Sequence, residues 1–210
     1  MALKLDNVTI KQAEKTLLSI NVTVNNGDVL CIMGPSGSGK STLLNAIAGQ
    51  LSAPFTLQGR IVLDECLITN TPSHLRGVGV VFQDALLFDH MTVGQNIIFA
   101  MPQGMSAKEK RRAMIDMLSA VELDGLENRA PNALSGGQQA RVSLLRTLAA
   151  QPKVVLLDEP FSQLDTHLRA QIRTWTFEQL TLRDIPSILV THDKDDAMAA
   201  GGKTIELSSC

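Results

Sequence analysis

The sequence predicts an α/β protein with a mostly parallel sheet flanked by helices, and three observations lead to this fold class. Short apolar runs at 29–33, 154–160 and 187–193 have the length of strands that are covered on both faces. Segments with a helical period separate these runs, and strands that alternate with helices form parallel sheets. Gly34, together with other glycine and polar residues, follows the carboxyl ends of these strands, where such folds bind ligands.

The first part of the chain predicts strands around one helix. Residues 2–10 and 18–24 alternate apolar and polar side chains, which indicates half-buried, antiparallel N-terminal strands. A helical pattern over 41–51 follows the first buried run. Two more strands are expected at 57–64 and 77–82.

The middle of the chain changes to a helical period from about residue 84 to 135. Ser106 and Glu109 have the spacing of a capping box at a helix start. Strands return later and are separated by a helix over 166–182. We therefore expect one domain over residues 1–210, with a core of about 1–83 and 152–210 and an inserted helical subdomain of about 84–151.

Composition and charge exclude several classes of protein. The net charge of −2 argues against nucleic acid as a partner, because proteins that bind it present a basic face. No apolar run approaches the roughly 18 residues that span a bilayer, and the first residues lack a secretory signal, so a cytoplasmic protein is expected unless a partner holds it at a membrane. The three widely spaced cysteines predict neither a disulfide framework nor a zinc site, and Cys31 is expected to be a buried, reduced thiol.

The stretch GPSGSGKS matches the phosphate-loop pattern G-x-x-x-x-G-K-[ST], with a strand before it and a helix after it. Backbone amides of such a loop surround phosphate oxygens, Lys40 reaches the β- and γ-phosphates, and the Ser41 hydroxyl ligates Mg²⁺. The predicted nucleotide-binding residues here are Gly34, Pro35, Ser36, Gly37, Ser38, Gly39, Lys40, Ser41 and Thr42.

Three further strand ends carry candidate catalytic groups. Asp158 ends a buried run and is placed to hold Mg²⁺ through water, and Glu159 is placed to accept a proton from an attacking water. His192 follows another apolar strand and is expected to reach the γ-phosphate. Gln83 follows a third strand and is a candidate contact for Mg²⁺ or water, although a surface glutamine explains it equally well.

Two adjacent glycines open a second helix in the stretch NALSGGQQARVSLLRTLAA. Each glycine weakens a helix by about 1 kcal/mol relative to alanine, so Gly136 and Gly137 need a reason. Glycines at a helix start favour an anion site, because they let the backbone N–H groups of the first turn point towards an anion. The chain thus predicts two phosphate-binding helix starts.

These motifs in this order, together with SQLD at 162–165, resemble the ATP-binding subunit of ABC transporters. The resemblance covers nearly the whole chain and implies a RecA-like P-loop NTPase fold, with ATP and Mg²⁺ as cofactors. It also implies a head-to-tail homodimer in which the signature residues bind the γ-phosphate held by the other subunit, with Asp165 at the interface. The signature residues are Leu134, Ser135, Gly136, Gly137 and Gln138.

The flanking stretches LRGVGVVFQDALLFDHMTVGQNI and NRAPNALSGGQQAR look like those of bacterial importer ATPases for thiamine, iron(III), sulfate or polyamines. This resemblance implies an integral-membrane permease and a periplasmic substrate-binding protein as partners. The permease is expected in a groove lined from residues 83–100, including Phe88, Met91 and Phe99. Apolar residues at this spacing fit a protein core equally well.

One departure from the family concerns the nucleotide base. Family members commonly stack adenine on an aromatic residue upstream of the phosphate loop, where this chain has Lys11, Gln12 and Ala13. All phenylalanines and Trp175 come after the loop, and the chain has no tyrosine. The sequence therefore predicts weak ATP binding and poor discrimination between ATP and GTP.

Other functions remain as alternatives at this stage. The main alternative is a soluble ABC-type ATPase that is not coupled to transport. A small-molecule kinase or a GTPase would use the same loop, but the guanine motif N-K-x-D is absent and neither has a use for LSGGQ. A non-catalytic ATP sensor would not need Glu159 and His192.

Overall fold

The computed structural model describes residues 2–207 and confirms the predicted fold class. Its strands and helices follow one another as β1 (Ala2–Gln12), β2 (Lys15–Asn25), β3 (Val29–Met33), α1 (Lys40–Ala48), β4 (Phe55–Leu63), β5 (Cys66–Leu67), β6 (Val78–Val81), α2 (Val93–Ala100), α3 (Ala107–Ala120), α4 (Gly136–Ala149), β7 (Val154–Asp158), α5 (Thr166–Leu182), β8 (Ser187–Val190), α6 (Lys194–Ala200) and β9 (Thr204–Glu206).

The N-terminal strands form the predicted antiparallel sheet, in the order β2-β1-β4-β5. Buried and less buried residues alternate along β1, and a register shift between Leu5 and Val8 keeps Leu3, Leu5 and Ile10 buried, with none of them exposed. At the far end of β1 the pairing with β4 sets Gln12 opposite Phe55. This register brings together two residues that lie on either side of the phosphate loop in sequence.

The second sheet has the order β6-β7-β8-β3-β9, in which β7 and β8, β8 and β3, and β3 and β9 pair in parallel. Strands β3, β7 and β8 are buried almost throughout, as continuous apolar runs predict. Because β7, β8 and β3 are neighbours and run in one direction, the segments that follow them leave the sheet at the same edge. Met33, Asp158 and Val190 mark this edge.

Three helices begin with a complete capping box, in which a Ser or Thr hydroxyl caps the third backbone N–H and a Glu or Gln side chain returns the bond. The box at α3 is the predicted one. The boxes at α2 and α4 escaped the sequence analysis. The three pairs are Thr92 with Gln95, Ser106 with Glu109, and Ser135 with Gln138.

The described chain forms two compact units. The first contains both sheets with α1 and α6, over residues up to 80, 153–159 and from 174 onwards, and the second contains α2, α3 and α4 over 81–152 and 160–173. The predicted domain boundaries stay predictions. Within residues 2–207, no helix is both long and apolar enough to cross a bilayer.

The cysteines follow the expectation as far as the structure describes them. Cys31 is fully buried in β3, and burial raises the pKa of its thiol to about 11. Cys66 is exposed and unpaired by any disulfide, and Cys210 lies outside the described residues.

Candidate nucleotide-binding site and signature helix

The phosphate loop connects β3 to α1 through backbone that only glycine adopts readily. Gly34 has a φ of 149°, and a Cβ there would lie 2.6 Å from the carbonyl oxygen of Leu207. Gly39 occupies the N-cap of α1 in the left-handed region, with a φ of 88°, and provides no side chain to cap the helix. The first turn of α1 therefore presents backbone N–H groups and the positive end of its dipole to a ligand.

Two buried polar groups in the loop favour an anionic ligand. Lys40 is only 9% exposed, and its Nζ donates hydrogen bonds of 2.8 Å to the carbonyls of Gly34 and Pro35. The buried Ser38 hydroxyl has no hydrogen-bond partner among residues 2–207. Phosphate oxygens are strong acceptors for an ammonium and a hydroxyl, so the loop fits a nucleotide phosphate.

Asp158 and Ser41 form the candidate magnesium pair at the end of β7. The Ser41 hydroxyl hydrogen-bonds to the Asp158 carboxylate. Burial raises the pKa of Asp158, while this hydrogen bond and the nearby charge of Lys40 act in the opposite direction. Two hard oxygen ligands suit Mg²⁺, which takes its remaining ligands from water and phosphate. Elsewhere, the described part of the chain contains no cluster of three or more His, Cys, Asp or Glu side chains that could hold a metal.

Glu159 and His192 contact each other, which the sequence analysis did not predict. Glu159 Oε1 lies 3.1 Å from Nδ1 of His192, and their side chains are 23% and 68% exposed. The Glu159 N–H donates to the Val190 carbonyl at 2.9 Å, and the residue has a left-handed φ of 47°. The signal was available in sequence, because residues after neighbouring parallel strands meet at one edge.

Gln83 lies in the second unit, just after β6, and is exposed. Its carbonyl oxygen accepts a hydrogen bond of 3.0 Å from Nε2 of Gln163. The predicted contact of the Gln83 amide with Mg²⁺ or water stays a prediction, and the alternative of a surface glutamine fits its exposure.

The signature residues form the start of α4, with Ser135 as N-cap. Ser135 Oγ accepts the Gln138 N–H at 3.3 Å, and the Ser135 carbonyl accepts the Gln139 N–H at 2.9 Å. These bonds leave the N–H groups of Gly136 and Gly137 without a hydrogen bond anywhere in residues 2–207. Two open N–H groups at a helix N-terminus suit an anion.

A second reason for glycine at positions 136 and 137 is structural. A Cβ on Gly137 would lie 3.2 Å from the Gln163 carbonyl oxygen and 3.7 Å from Leu164, and one on Gly136 would lie 3.3 Å from the Gln163 side chain. Neither glycine has a positive φ, so close approach of the SQLD segment favours them rather than unusual backbone torsion. Asp165, at the end of that segment, is exposed and its Oδ1 accepts the Leu168 N–H at 3.0 Å. Asp165 thus caps α5, and its predicted place at a dimer interface stays a prediction.

Phe88 and Phe99 form an exposed aromatic patch. Their ring centroids are 5.5 Å apart with the rings edge to face, and the side chains are 38% and 64% exposed. The Arg146 guanidinium lies 5.3 Å from the centroid of Phe88 and also donates to the carbonyl of Leu86 at 2.8 Å. Met91 is half-buried. The exposure of both rings disfavours a purely core role for this segment.

An aromatic residue does stand beside the phosphate loop, contrary to the sequence reasoning. Phe55 pairs with Gln12 across the strands and lines the same cavity as Lys40 and Thr42. Phe55 follows the phosphate loop in sequence, and the pairing of β4 with β1 brings it beside the loop in the fold. The predicted weakness of ATP binding and the predicted poor discrimination between bases both stay predictions.

A phosphate loop after a buried strand, with a carboxylate at the end of another strand of the same sheet, defines a P-loop nucleoside triphosphatase. A sequence profile of the family described as "ABC transporter" matches residues 17–162. The chain belongs to the ABC transporter family, and it is an ATP-binding and ATP-hydrolysing subunit of that family.

Individual relatives agree with this assignment. The chain is 46% identical to the uncharacterized ABC transporter ATP-binding protein YnjD of Escherichia coli (strain K12), over 92% of this chain and 89% of that protein. It is 42% identical to the sulfate/thiosulfate import ATP-binding protein CysA of Synechocystis sp. (strain ATCC 27184 / PCC 6803 / Kazusa), over all of this chain but only 59% of that protein.

A solved structure confirms the fold. It is described as the dimeric structure of a post-hydrolysis state of the ATP-binding cassette MJ0796 bound to ADP and Pi. It superposes with a TM-score of 0.82 at 32% identity, covering 99% of this chain and 96% of that one.

Proposed function

We propose that this chain hydrolyses ATP to power a bacterial membrane importer, as one half of a head-to-tail dimer. The observation that carries the proposal is the start of α4, where the N–H groups of Gly136 and Gly137 make no hydrogen bond within the described residues. The chain already has one phosphate loop. A second anion-binding helix start is useful when each ATP is shared between two subunits.

Each predicted site residue then has a role in the shared site. The loop from Gly34 to Thr42 holds the phosphates, and Lys40 exchanges its carbonyl partners for phosphate oxygens. Ser135, Gly136, Gly137 and Gln138 bind the γ-phosphate held by the other subunit, with Asp165 at the interface. Ser41, Asp158 and Gln83 would hold Mg²⁺, which would supply positive charge against the phosphates.

Glu159 is the proposed general base. Its carboxylate accepts a proton from the water that attacks the γ-phosphate, which is a contribution of about 10²- to 10⁴-fold. The contact with His192 at 3.1 Å supports this role, because the imidazole is near enough to orient the carboxylate. His192 completes the γ-phosphate end of the site.

The exposed patch of Phe88 and Phe99 is the proposed contact for the permease. Compared with the rest of a protein surface, the centres of protein–protein interfaces are enriched in aromatic side chains, which become buried when the complex forms. Through the permease the chain acts at the inner face of the cell membrane, and a periplasmic substrate-binding protein delivers the substrate. The name of the sulfate relative supports an importer, although the chain spans 59% of that protein's length.

The alternative of a soluble ATPase without a transport partner gains no support from these relatives, which are transporter subunits by name. Copurification separates the two functions. A transporter subunit, tagged and expressed from its own locus, should retain an integral-membrane protein in detergent. Recovery without any membrane protein would favour the soluble ATPase.

The Glu159→Gln variant tests the catalytic proposal. It should bind ATP but hydrolyse it at least 10²-fold more slowly, because glutamine cannot accept the proton. The ATP-bound protein should accumulate as a dimer in size-exclusion chromatography. Glu178→Gln, an exposed position on α5, is the matched control and should keep the full rate. Normal turnover by Glu159→Gln would remove Glu159 from this role.

A further inference from the structure

A cavity of about 260 Å³ opens beside the phosphate loop. Gly39, Lys40 and Thr42 line one side of it, and Gln12, Leu17 and Phe55 line the other. Its volume is below the roughly 300–1,000 Å³ of pockets that enclose a drug-sized ligand, so it suits one part of a nucleotide. Since its loop side is the phosphate site, the part that remains to be placed is the base.

Long-range strand pairing places Phe55 in this cavity. Phe55 is the first residue of β4 and lies opposite Gln12, the last residue of β1, in the antiparallel register. The Ala13 N–H also bonds to the Pro54 carbonyl at 3.5 Å, which joins the two chain segments next to the pair. Phe55 is half-buried, because part of it packs against the apolar core, and the remainder faces the cavity.

We propose that Phe55 is the aromatic platform on which the nucleotide base stacks while the phosphates occupy the loop. The inference rests on the proposed nucleotide function of that loop. Phe55 offers a π-face, and Leu17 adds an apolar wall to the same cavity. Neither side chain carries a donor or acceptor, so together they recognise the flat face of a base.

The proposal has a specific energetic signature. Stacking of a base on an aromatic side chain is worth about 1–3 kcal/mol, and every base has a π-face. Removal of the ring should therefore weaken binding by about 5- to 150-fold, at 1.4 kcal/mol per tenfold. The loss should be equal for adenine and guanine nucleotides, and it should spare a ligand that has phosphates but no base.

The test measures equilibrium binding of Mg²⁺ complexes of ADP, GDP and pyrophosphate to the purified chain by calorimetry, since none of these is hydrolysed by an ATPase. Phe55→Ala should lose about 5- to 150-fold affinity for ADP and GDP alike and keep its pyrophosphate affinity within about twofold. Phe55→Trp should keep the affinity for ADP. Leu57→Ala is the matched control, because Leu57 is on the same face of β4 and packs against the same core, but does not line the cavity.

Thermal unfolding of each variant verifies that it is folded before binding is measured. A folded Phe55→Ala protein with wild-type ADP affinity would overturn the inference and leave the proposed function intact. A parallel loss of ADP and pyrophosphate would also overturn it, because Phe55 would then act by shaping the loop. A wild-type protein that binds neither ligand would overturn the proposed function, and this inference with it.

Discussion

Asn96→Leu should destabilise the second unit by about 2–6 kcal/mol, because one buried amide organises the loop before α2. Asn96 is fully buried, and its Oδ1 accepts the Phe88 N–H at 2.9 Å. Its Nδ2 donates to the carbonyls of Phe88, Met91 and Thr92 at 3.2, 3.3 and 3.0 Å. Leucine has a similar size and offers none of these bonds.

The expected loss of unfolding free energy depends on which backbone groups still have a hydrogen-bond partner without the Asn96 amide. The Phe88 carbonyl also accepts the Met91 N–H, and the Thr92 carbonyl also accepts the Asn96 N–H, so both remain bonded. The Phe88 N–H and the Met91 carbonyl lose the one partner they have within the described residues. Each buried polar group without a hydrogen-bond partner costs about 1–3 kcal/mol. In native proteins a buried N–H without a partner is rarer than a buried carbonyl without one.

Urea unfolding followed by far-UV circular dichroism measures the difference in unfolding free energy. Gln95→Ala is the control, because it removes the exposed hydrogen bond that the Thr92 N–H donates to Oε1 of Gln95. It should lose less than about 1 kcal/mol. If Asn96→Leu also loses less than about 0.5 kcal/mol, the network does not hold the loop and the reasoning fails.

Three more predictions concern the site and its partners. Ser135→Arg should still bind ATP but fail together in dimerisation and hydrolysis; a monomeric variant that hydrolyses at the wild-type rate would contradict the shared site. Phe88→Glu should abolish coupled transport in membrane vesicles while the isolated chain keeps its ATPase rate, and intact transport would return Phe88 to a structural role. Asp158→Asn should stabilise the magnesium- and nucleotide-free protein, because burial raises the pKa of Asp158 above its unfolded value of 3.8 and folding therefore disfavours the charged form. This gain should be absent at a pH below 3.8, grow as the pH rises through the folded pKa, and then stay constant; a gain that does not change with pH in chemical-denaturation curves would contradict the cause.

Local patterns were sufficient for most of the fold. The apolar run of β3 and the helix α5 have the predicted bounds, Val29–Met33 and Thr166–Leu182, because burial on both faces and a helical period are written in adjacent residues. The phosphate loop was equally accessible, since its glycines, Lys40 and Ser41 are contiguous. Neighbouring strand ends could also have revealed the contact between Glu159 and His192.

The remaining features depend on contacts between distant segments. The pairing of Gln12 with Phe55 is set by the register of β1 and β4, which spacing along the chain does not contain. The approach of Gln163 to Gly137 is likewise invisible in sequence, so the glycines were explained by an anion alone. No sequence pattern singles out Asn96, because its partners lie in a loop without a periodic pattern.

The backbone conformation of Glu159 sets stability against activity, which matters for protein engineering. A glutamate with a φ of 47° is in a conformation that glycine adopts freely, and such a conformation costs other residues on the order of 1–3 kcal/mol at functional sites. A screen that rewards only heat resistance would therefore favour Glu159→Gly, a change that removes the proposed base. Selection for thermostability in this chain needs an ATPase readout at every round, because Glu159 is both a position with unfavourable backbone torsion and the proposed catalytic base.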